Sequence, residues 1–347
     1  MKTGIVRARA PLRLGLAGGG TDVPPYCDLH GGLVLNIAIS WYAYATIKPS
    51  ISGKLIFRAE DLDLEEVIDP DPQLPLDGLL PLHRGVWRRL IRDFNGGEPV
   101  PVELSTCVDV PAGSGLGSSS TVVVAMVTAF KEYFGLPLGE YEIARLAVQI
   151  ERNDLGFKGG MQDQYAATFG GVNFIEFNAD GHVIVNPLRV RDSILAELEA
   201  AVVLYFTGVS RESAAIIEDQ SKLMETKSTG SIEAMHALKR DAISMKDCLL
   251  QGDLSGLATV LGRSWEAKKR TSGRISNPMI DAVHSLALAN GALAGKVSGA
   301  GGGGFMMFIV EPMMRPRLLR ALDREHGQLM TCHFTSSSAS AWRVNDY

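Results

Sequence analysis

A short acidic stretch of the chain carries residue types that could support phosphoryl transfer. The segment "ERNDLGFKGGMQDQ" contains Glu151, Asp154 and Asp163 around a Lys-Gly-Gly loop that begins at Lys158. Such chemistry needs a metal-binding carboxylate and a group that orients or deprotonates the acceptor hydroxyl. Most single carboxylates are solvated or cap a helix, but Glu151 at a predicted helix end and Asp163 in a glycine-rich loop could supply both. Arg13, at the end of a predicted strand, could neutralise charge on the transferring group.

A second candidate is the segment "PAGSGLGSSS", which precedes an apolar helical run. A tight turn with a serine N-cap is one interpretation. A phosphate cradle is the other and is favoured, because open backbone N–H groups at a helix N-terminus bind anions. No Gly-Lys-Ser/Thr follows, so it is not a Walker A loop, and Ser118 stands where a dinucleotide fingerprint needs its third glycine. The predicted phosphate-binding residues are Pro111, Ala112, Gly113, Ser114, Gly115, Leu116, Gly117, Ser118, Ser119 and Ser120.

Two further glycine-rich segments could bring backbone close to a ligand. "VSGAGGGGF" has GxGxxG spacing, but a strand rather than a helix follows, so the Rossmann context of an oxidoreductase fails. "AGGGTD" places the open backbone of residues 18–20 before Thr21 and Asp22, which suit sugar hydroxyls although each alone is more often a turn residue. Both segments are therefore predicted to line a small-molecule site.

Composition limits the class of protein. The chain has 347 residues, 46% of them hydrophobic and 21% charged, with a formal net charge of -5. This charge gives no indication of a nucleic-acid or membrane partner, and the apolar runs are too short to span a bilayer. No secretory signal is evident, and the four cysteines are scattered without a CxxC pair, so we expect a cytoplasmic location. No histidine spacing indicates zinc.

The elements that would position these residues alternate between strands and helices. "GIVRARAPLRLGLA" reads as a strand, "PLHRGVWRRLIRDF" as a helix, and the segment around Asp180-Gly181 as a hairpin turn. "EAAVVLYFTG" reads as a strand, followed by amphipathic helices across 211–290, a strand pair, a helix at 312–326 and a final strand. The prediction is an α+β fold, with an N-terminal domain over 1–190 and a C-terminal domain over 191–347.

In order, the segments APLR…GGGTD, PAGSGLGSSS and KVSGAGGGGF resemble the GHMP small-molecule kinases. The resemblance implies an N-terminal domain like domain 2 of ribosomal protein S5, a ferredoxin-like C-terminal domain, and ATP phosphates on the serine-rich loop. It implies Mg²⁺ ligands at Ser119 (Ser118 as second choice) and Glu151, and a general base at Asp163. Arg13 stands where mevalonate kinases have lysine, and its expected role is electrostatic because arginine stays protonated.

The form "AGGGTD" together with "GFKGGMQDQYAATFGG" is most similar to the branch with heptose 7-phosphate kinases and fucokinase domains. That similarity implies ATP- and Mg²⁺-dependent phosphorylation of the anomeric O1 of D-glycero-D-manno-heptose 7-phosphate, in the supply of nucleotide-activated heptose for surface polysaccharide. The implied substrate-binding residues are Gly18, Gly19, Gly20, Thr21, Asp22, Lys158, Gly159, Gly160, Gly301 and Gly302.

Two further features of such a site are a seat for the distal phosphate and an adenine pocket. The distal phosphate needs a cationic seat, for which Lys158, Arg211 and Arg263 are candidates, whereas "KKR" at 268–270 is predicted to be a solvated helix face. The adenine pocket is placed near the strand with Phe57 and Arg58.

Alternatives remain at the level of function. The first is an anomeric kinase for an unphosphorylated sugar such as L-fucose, which would lack the basic cluster. The second is an inactive sugar and nucleotide sensor on the same scaffold, against which the intact set of Ser119, Glu151, Asp163 and Arg13 argues. A homodimer is one expected assembly.

Overall fold

The computed structural model describes residues 4–208, 213–225 and 229–344. Its first sheet is formed by strands from both ends of the chain. These strands are β1 (Ile5–Ala17), β2 (Gly32–Pro49), β3 (Leu55–Ala59), β4 (Leu64–Ile68), β5 (Val102–Val108), β6 (Val172–Phe177), β7 (Val183–Pro187) and β12 (Ser340–Val344). Six of these strands run in the order β12-β1-β2-β5-β3-β4, and β6 and β7 lie off this path. The first half of β2 pairs with β6 and its second half with β5, so one long strand joins two parts of the sheet.

The second sheet has four strands and is antiparallel throughout. It contains β8 (Val202–Phe206), β9 (Ala292–Val297), β10 (Phe305–Val310) and β11 (Gln328–Met330), in the order β11-β8-β10-β9. The tight segment between β9 and β10 holds the third glycine-rich motif. The motif therefore lies where these two strands of the sheet end and begin.

Helices cover both sheets. They are α1 (Tyr26–His30), α2 (Pro81–Phe94), α3 (Ser118–Phe134), α4 (Glu140–Gln149), α5 (Gln162–Phe169), α6 (Asp192–Ala201), α7 (Ser213–Glu225), α8 (Thr229–Gln251), α9 (Leu254–Lys269), α10 (Pro278–Ala289) and α11 (Arg315–Leu322), and one π-helical turn, Ile150–Asp154, continues α4. Residues 120–130 of α3 are all buried, so this helix is central. Its apolar, mostly small or β-branched side chains suit a helix packed on every side. Among the described helices, none is long and apolar enough to cross a membrane.

The hydrophobic core is continuous between the two sheets. One cluster combines Leu12 and Leu14 of β1 with Leu204 of β8, Leu261 of α9 and Phe305 of β10. Each fully buried side chain of this kind contributes about 1.5–3 kcal/mol to folding. The two sheets are therefore held together by apolar packing, which fixes the walls of the cleft between them.

The expected α+β class and the hairpin near Asp180-Gly181 are confirmed. Three local predictions were wrong. Helix α6 precedes β8 and was missed, because its apolar residues merge with those of the strand. Helix α11 is shorter than 312–326, and Asp163 lies in the first turn of α5 rather than in a loop. The last strand, β12, pairs with β1 in the first sheet, although a boundary near residue 190 stays a prediction.

Candidate active site

A cavity of about 570 Å³ lies between the two sheets and gathers residues from all three glycine-rich motifs. The predicted residues that line it are Arg13, Gly20, Asp22, Gly113, Gly115, Gly117, Ser118, Ser119, Ser120, Glu151, Lys158, Gly159, Gly160 and Asp163. Side chains of the second half of the chain close it, among them Gln220 and Lys268. Residues far apart in the sequence thus share one volume large enough for a small substrate.

Arg13 and Asp163 form an ion pair at the wall of this cavity. Arg13 Nε donates to Asp163 Oδ1 over 2.7 Å, and its NH2 lies 2.6 Å from the same oxygen. Its NH1 donates to the carbonyl of Gly115 over 2.9 Å. Within the described residues no hydrogen bond reaches Asp163 Oδ2. The pair therefore presents a fixed carboxylate with one oxygen available to a ligand.

Gly117 allows this pair to sit against the start of α3. A Cβ on Gly117 would lie 2.9 Å from Asp163 Cγ, and the residue has a φ of +79°, which side chains rarely adopt. The N-terminus of α3 has no side-chain cap among the described contacts. Its open N–H groups and the helix dipole favour an anion beside the carboxylate.

Asp22 organises the loop that precedes α5. It is fully buried, and its Oδ2 accepts from the backbone N–H groups of Met161 (2.8 Å) and Gln162 (3.0 Å). Its Oδ1 accepts from Gln162 Nε2 and from Gly20 N. Both oxygens of Asp22 already have protein donors. Its position therefore supports a role in holding the loop more than one in direct contact with the substrate.

Thr21 was predicted to bind substrate, and its position does not support this. The residue is fully buried and outside the cavity lining. Its hydroxyl donates to the carbonyls of Gly18 and Leu33 and accepts from Leu33 N. Thr21 is occupied in fixing the backbone of the first motif.

Glu151 lies in the π-helical turn and faces the cavity from a buried position. Its Oε1 accepts from Ser120 Oγ over 3.0 Å, and Gln164 Nε2 donates to its Oε2. Burial raises the pKa of Glu151, against the opposing charge of Arg152, whose NH1 is 3.8 Å away. Arg152 is thus the one cation paired with this carboxylate among the described residues, and it lies too far away for a hydrogen bond.

This oxygen-donor set fits a magnesium ion. Among the described residues no cluster of three or more His, Cys, Asp or Glu side chains could hold a metal. Mg²⁺ is commonly bound by only one or two carboxylates together with substrate phosphates, so Glu151 suffices on the protein side. Ser120 rather than the predicted Ser119 contacts Glu151; Ser119 is exposed and also lines the cavity.

The phosphate loop is only partly directed at the cavity. Ser114 and Leu116 are buried and do not line it, and neither does Pro111. The Ser114 carbonyl instead accepts from Phe305 N of β10. Residues 113–117 therefore alternate between the cavity and the core, which the uniform prediction over 111–120 ignored.

The third motif supports the phosphate loop more than it lines the cavity. A Cβ on Gly299 would lie 2.6 Å from the Gly115 carbonyl, so the two loops are in backbone contact. Gly299 and Ala300 line the cavity, but the predicted substrate residues Gly301 and Gly302 do not. Both pack on Ile275, whose carbonyl accepts from Gly302 N over 2.8 Å. The positions of these two glycines thus do not support the prediction that they bind substrate.

Two half-buried lysines in the site were missed. Lys268 Nζ donates to the Gly19 carbonyl over 3.0 Å, and Lys296 Nζ donates to the Leu16 carbonyl over 3.2 Å. Burial lowers the pKa of Lys268 to about 8 and that of Lys296 to about 7. The expectation of a solvated face at 268 was wrong. Its sequence signal is faint, since a lysine at the end of α9 resembles any surface lysine.

Other predicted cations and acids lie elsewhere. Arg263 pairs with Asp241 and does not line the cavity, and Asp154 pairs with Arg89. Arg211 lies outside the described residues. Of the two candidates for a phosphate seat that the structure describes, only Lys158 lines the cavity, at an exposed position.

A second, mainly apolar pocket of about 250 Å³ adjoins the phosphate loop and shares Ser118, Ser119 and Phe157 with the larger cavity. The predicted adenine neighbours do not line it, because Phe57 is buried in the core and Arg58 pairs with Glu65 and Glu103. The lining begins one residue later and includes Ala59, Leu62, His83, Val108 and Ala112.

Comparisons with known proteins agree with this geometry. Residues 81–171 match the GHMP kinases N terminal domain, and residues 245–329 match the GHMP kinases C terminal domain. A D-glycero-alpha-D-manno-heptose 7-phosphate kinase of Campylobacter jejuni is 48% identical over 99% of this chain and 100% of its own length. An L-fucokinase/L-fucose-1-P guanylyltransferase of Bacteroides fragilis is 26% identical over 97% of this chain but only 38% of its own length.

Solved structures of kinases are similar to this chain as well. A D-glycero-D-manno-heptose 1-phosphate kinase of Bacteroides thetaiotaomicron aligns with a TM-score of 0.84 at 44% identity, over 98% of this chain and 100% of that one. A putative sugar kinase of Campylobacter jejuni aligns with a TM-score of 0.81 at 46% identity, over 99% and 100%. The mevalonate kinase of Methanococcus jannaschii, at 17% identity and a TM-score of 0.75 over 95% and 98%, shares the fold.

Proposed function

We propose, from the premise that this chain belongs to the GHMP kinase family, that it transfers the γ-phosphoryl group of ATP to the anomeric hydroxyl of a heptose 7-phosphate. The product would be the 1,7-bisphosphate. GHMP kinases use ATP, and the full-length relative at 48% identity is named a heptose 7-phosphate kinase. The observation that carries the proposal is the Arg13–Asp163 pair, in the same cavity as the open N-terminus of α3.

The proton of the acceptor hydroxyl goes to Asp163 in this proposal. Because Arg13 occupies only Oδ1, Oδ2 is the oxygen that accepts the proton. The sugar oxygen then forms its bond to the γ-phosphorus as the bond to the β,γ-bridging oxygen breaks, and ADP leaves. Arg13 fixes the carboxylate and places a permanent positive charge beside the reacting oxygens.

The nucleotide phosphates lie on the cavity-lining part of the loop, which is Gly113, Gly115 and residues 117–119, at the uncapped N-terminus of α3. Glu151 and Ser120 would hold the Mg²⁺ ion of the nucleotide, which neutralises charge on the β and γ phosphates when bound. The neighbouring Ser119 is retained as a second hydroxyl for this ion, because it too lines the cavity.

The adenine base is proposed to fill the apolar pocket next to the loop. Burial lowers the pKa of His83 to about 4, so its ring is neutral at physiological pH. Its Nε2 is 3.1 Å from the Arg58 carbonyl and 3.0 Å from Thr106 Oγ1. A neutral, fixed wall of this kind suits a flat, uncharged base.

The experiment is a comparison of Mg²⁺-ATP turnover on matched acceptors. These are D-glycero-D-manno-heptose 7-phosphate, the corresponding 1-phosphate, free heptose, mannose 6-phosphate, L-fucose and mevalonate. The 1-phosphate is included because a structural relative is named a heptose 1-phosphate kinase. The position of the new phosphate is assigned by ³¹P NMR.

We expect the 7-phosphate to be preferred and to give a new anomeric phosphate signal. Preference for free heptose or L-fucose would change the proposed substrate but leave the proposed kinase activity in place. ATP binding without turnover of any acceptor would instead support the sensor.

Several finer expectations stay predictions beside this function. They are a place in the synthesis of nucleotide-activated heptose, a cytoplasmic location, a homodimer and the absence of a nucleic-acid partner.

A further inference from the structure

The half-buried Lys268 lies at the wall of the active-site cavity, and its ammonium group has little to neutralise it. Its Nζ donates to one neutral acceptor, the Gly19 carbonyl. That is the only hydrogen bond of the Lys268 ammonium group within residues 4–208, 213–225 and 229–344. An ammonium has three donors, so two are left for a ligand.

The surrounding charge is positive in excess. Arg13 and Lys296 are the nearby cations, and Asp22 is the carboxylate that acts on Lys268. Both oxygens of Asp22 already accept from protein donors, and Asp163 is paired with Arg13. The lowered pKa of Lys268 reflects first its burial and also this repulsion by Arg13. A buried charge of this kind is stabilised by an anionic partner.

The other cations that line the cavity are committed or exposed. Arg152 donates to the carbonyls of Gly160 and Phe157, and so fixes the loop. Lys158 is exposed to solvent, which weakens any ion pair it forms. Lys268 is therefore the cation best able to discriminate a charged ligand from a neutral one.

Lys268 lies beside the first glycine-rich motif. It lines the large cavity and also a small adjoining chamber of about 30 Å³, which contains Gly18, Gly19 and Lys296. None of the α3 serines lines that chamber. The small chamber at Lys268 is therefore separate from the helix start on which the nucleotide phosphates are proposed to lie.

We propose that Lys268 binds the phosphate group carried by the sugar acceptor and thereby selects phosphorylated over unphosphorylated sugars. This inference rests on the proposed sugar kinase function of the same site. A phosphate at Lys268 has two sources, the acceptor's own group and the transferring group of the nucleotide. The position of Lys268 against the first motif favours the acceptor's own phosphate group.

The kinetic test compares Lys268→Met with the wild type on heptose 7-phosphate and on free heptose. We expect KM for the 7-phosphate to rise about 100-fold, as for loss of a buried charge-assisted contact, with kcat little changed. Turnover of free heptose should change less than about threefold, since that acceptor has no phosphate to lose. Lys268→Arg, which keeps the charge, should recover part of the affinity.

The adjacent Lys269→Met provides the matched control, because Lys269 pairs with Glu266 and does not line the cavity. An equal fall of kcat on both acceptors would place Lys268 on the transferring phosphoryl group and overturn the proposal. Unchanged kinetics would mean that Lys268 only links the two parts of the fold, and this result would also overturn the proposal.

A binding test separates this inference from the proposed function. Inorganic phosphate is added to the protein saturated with Mg²⁺ and a non-hydrolysable ATP analogue, and the shift in Tm is measured. Stabilisation of the wild type but not of Lys268→Met supports the site even if no sugar phosphate is turned over. Equal stabilisation of both contradicts the site even if the kinase activity is confirmed.

Discussion

The candidate chemistry at the residue scale depends on a few side chains whose environments differ sharply. Asp163 is paired and keeps one oxygen available, whereas Asp22, which binds the backbone just before Asp163, has both oxygens bonded by protein donors. Two carboxylates of identical type are thus suited to different tasks, proton acceptance and loop support. Their environments, and not their residue type, decide which one reacts.

Replacing Asp163 with Asn tests the first of these tasks. We expect kcat to fall by about 100- to 10,000-fold with a small change in KM, because the amide keeps the size but cannot accept the proton. Asp154→Asn is the control, since Asp154 pairs with Arg89 outside the cavity. Near-normal turnover of Asp163→Asn would remove the general base and leave a mechanism of positioning alone.

Lys296 gives a prediction about stability and pH. Burial lowers its pKa to about 7, whereas an unfolded lysine titrates near about 10.4. Between these values the unfolded chain binds more protons, so the stability of the wild type rises with pH in that window. Lys296→Met removes this charge, and we expect the variant to be more stable than the wild type at about pH 6.

The advantage of Lys296→Met should shrink as the pH rises from about 7 to about 10, as measured by urea unfolding at a series of pH values. Lys269→Met, at a partly exposed position on α9, is the control, and its difference from the wild type should stay constant. A constant difference for Lys296→Met as well would show that Lys296 does not titrate from a buried, charged state.

At the element scale, the glycine-rich segments work as contacts between elements as much as ligand sites. The phosphate loop and the segment between β9 and β10 touch through Gly115 and Gly299. The loop before α5 touches the first motif through Gly160 and Asp22 in the same way. Side chains at these points would separate the elements that hold the reacting pair.

Gly160→Ala tests the second of these contacts. A Cβ there would lie 2.0 Å from Asp22 Oδ2, so the loop must move and the hydrogen bonds of Asp22 to Met161 and Gln162 must weaken. We expect kcat/KM to fall at least about tenfold and the free energy of unfolding to fall by about 1–3 kcal/mol. Kinetics and urea unfolding measure both.

Gly273→Ala is the control for this change, because a Cβ at Gly273 would meet no atom within 4 Å. It should leave both quantities within experimental error. If Gly160→Ala behaves like Gly273→Ala, the contact between the loop and the first motif does not position the site.

At the scale of the whole molecule, the active site depends on two sheets that share a core. Apolar residues of β1, β8 and α9 form one cluster, and the cavity lies where the sheets meet. The last strand, β12, returns to the first sheet and ties the C-terminal end of the chain to β1. Both features couple the two parts of the fold.

We therefore expect the two parts to unfold together. Trp87 is buried in the core beside the first sheet and Trp265 in the core beside the second. Variants that keep only one of these tryptophans should give the same midpoint in urea by fluorescence, because a shared core makes unfolding cooperative. Two separate midpoints would show that the halves are independent domains.

Much of the site was predictable because the signals are local. Glycines at tight turns, serines at a helix start and a carboxylate after a glycine loop are recognisable from neighbours in the sequence. Gly113, Ser118, Asp163 and Arg13 were identified in this way, and all four line the cavity.

What the sequence alone determined about this protein is the set of motifs and the α+β class. The tertiary structure decided which members of each motif face the cavity, that Ser120 contacts Glu151, and that Lys268 lies inside. The physical reason is that burial depends on distant partners: Lys268 meets the carbonyl of Gly19 across 249 positions of sequence. No local pattern records that contact, and only the packing of the two sheets creates it.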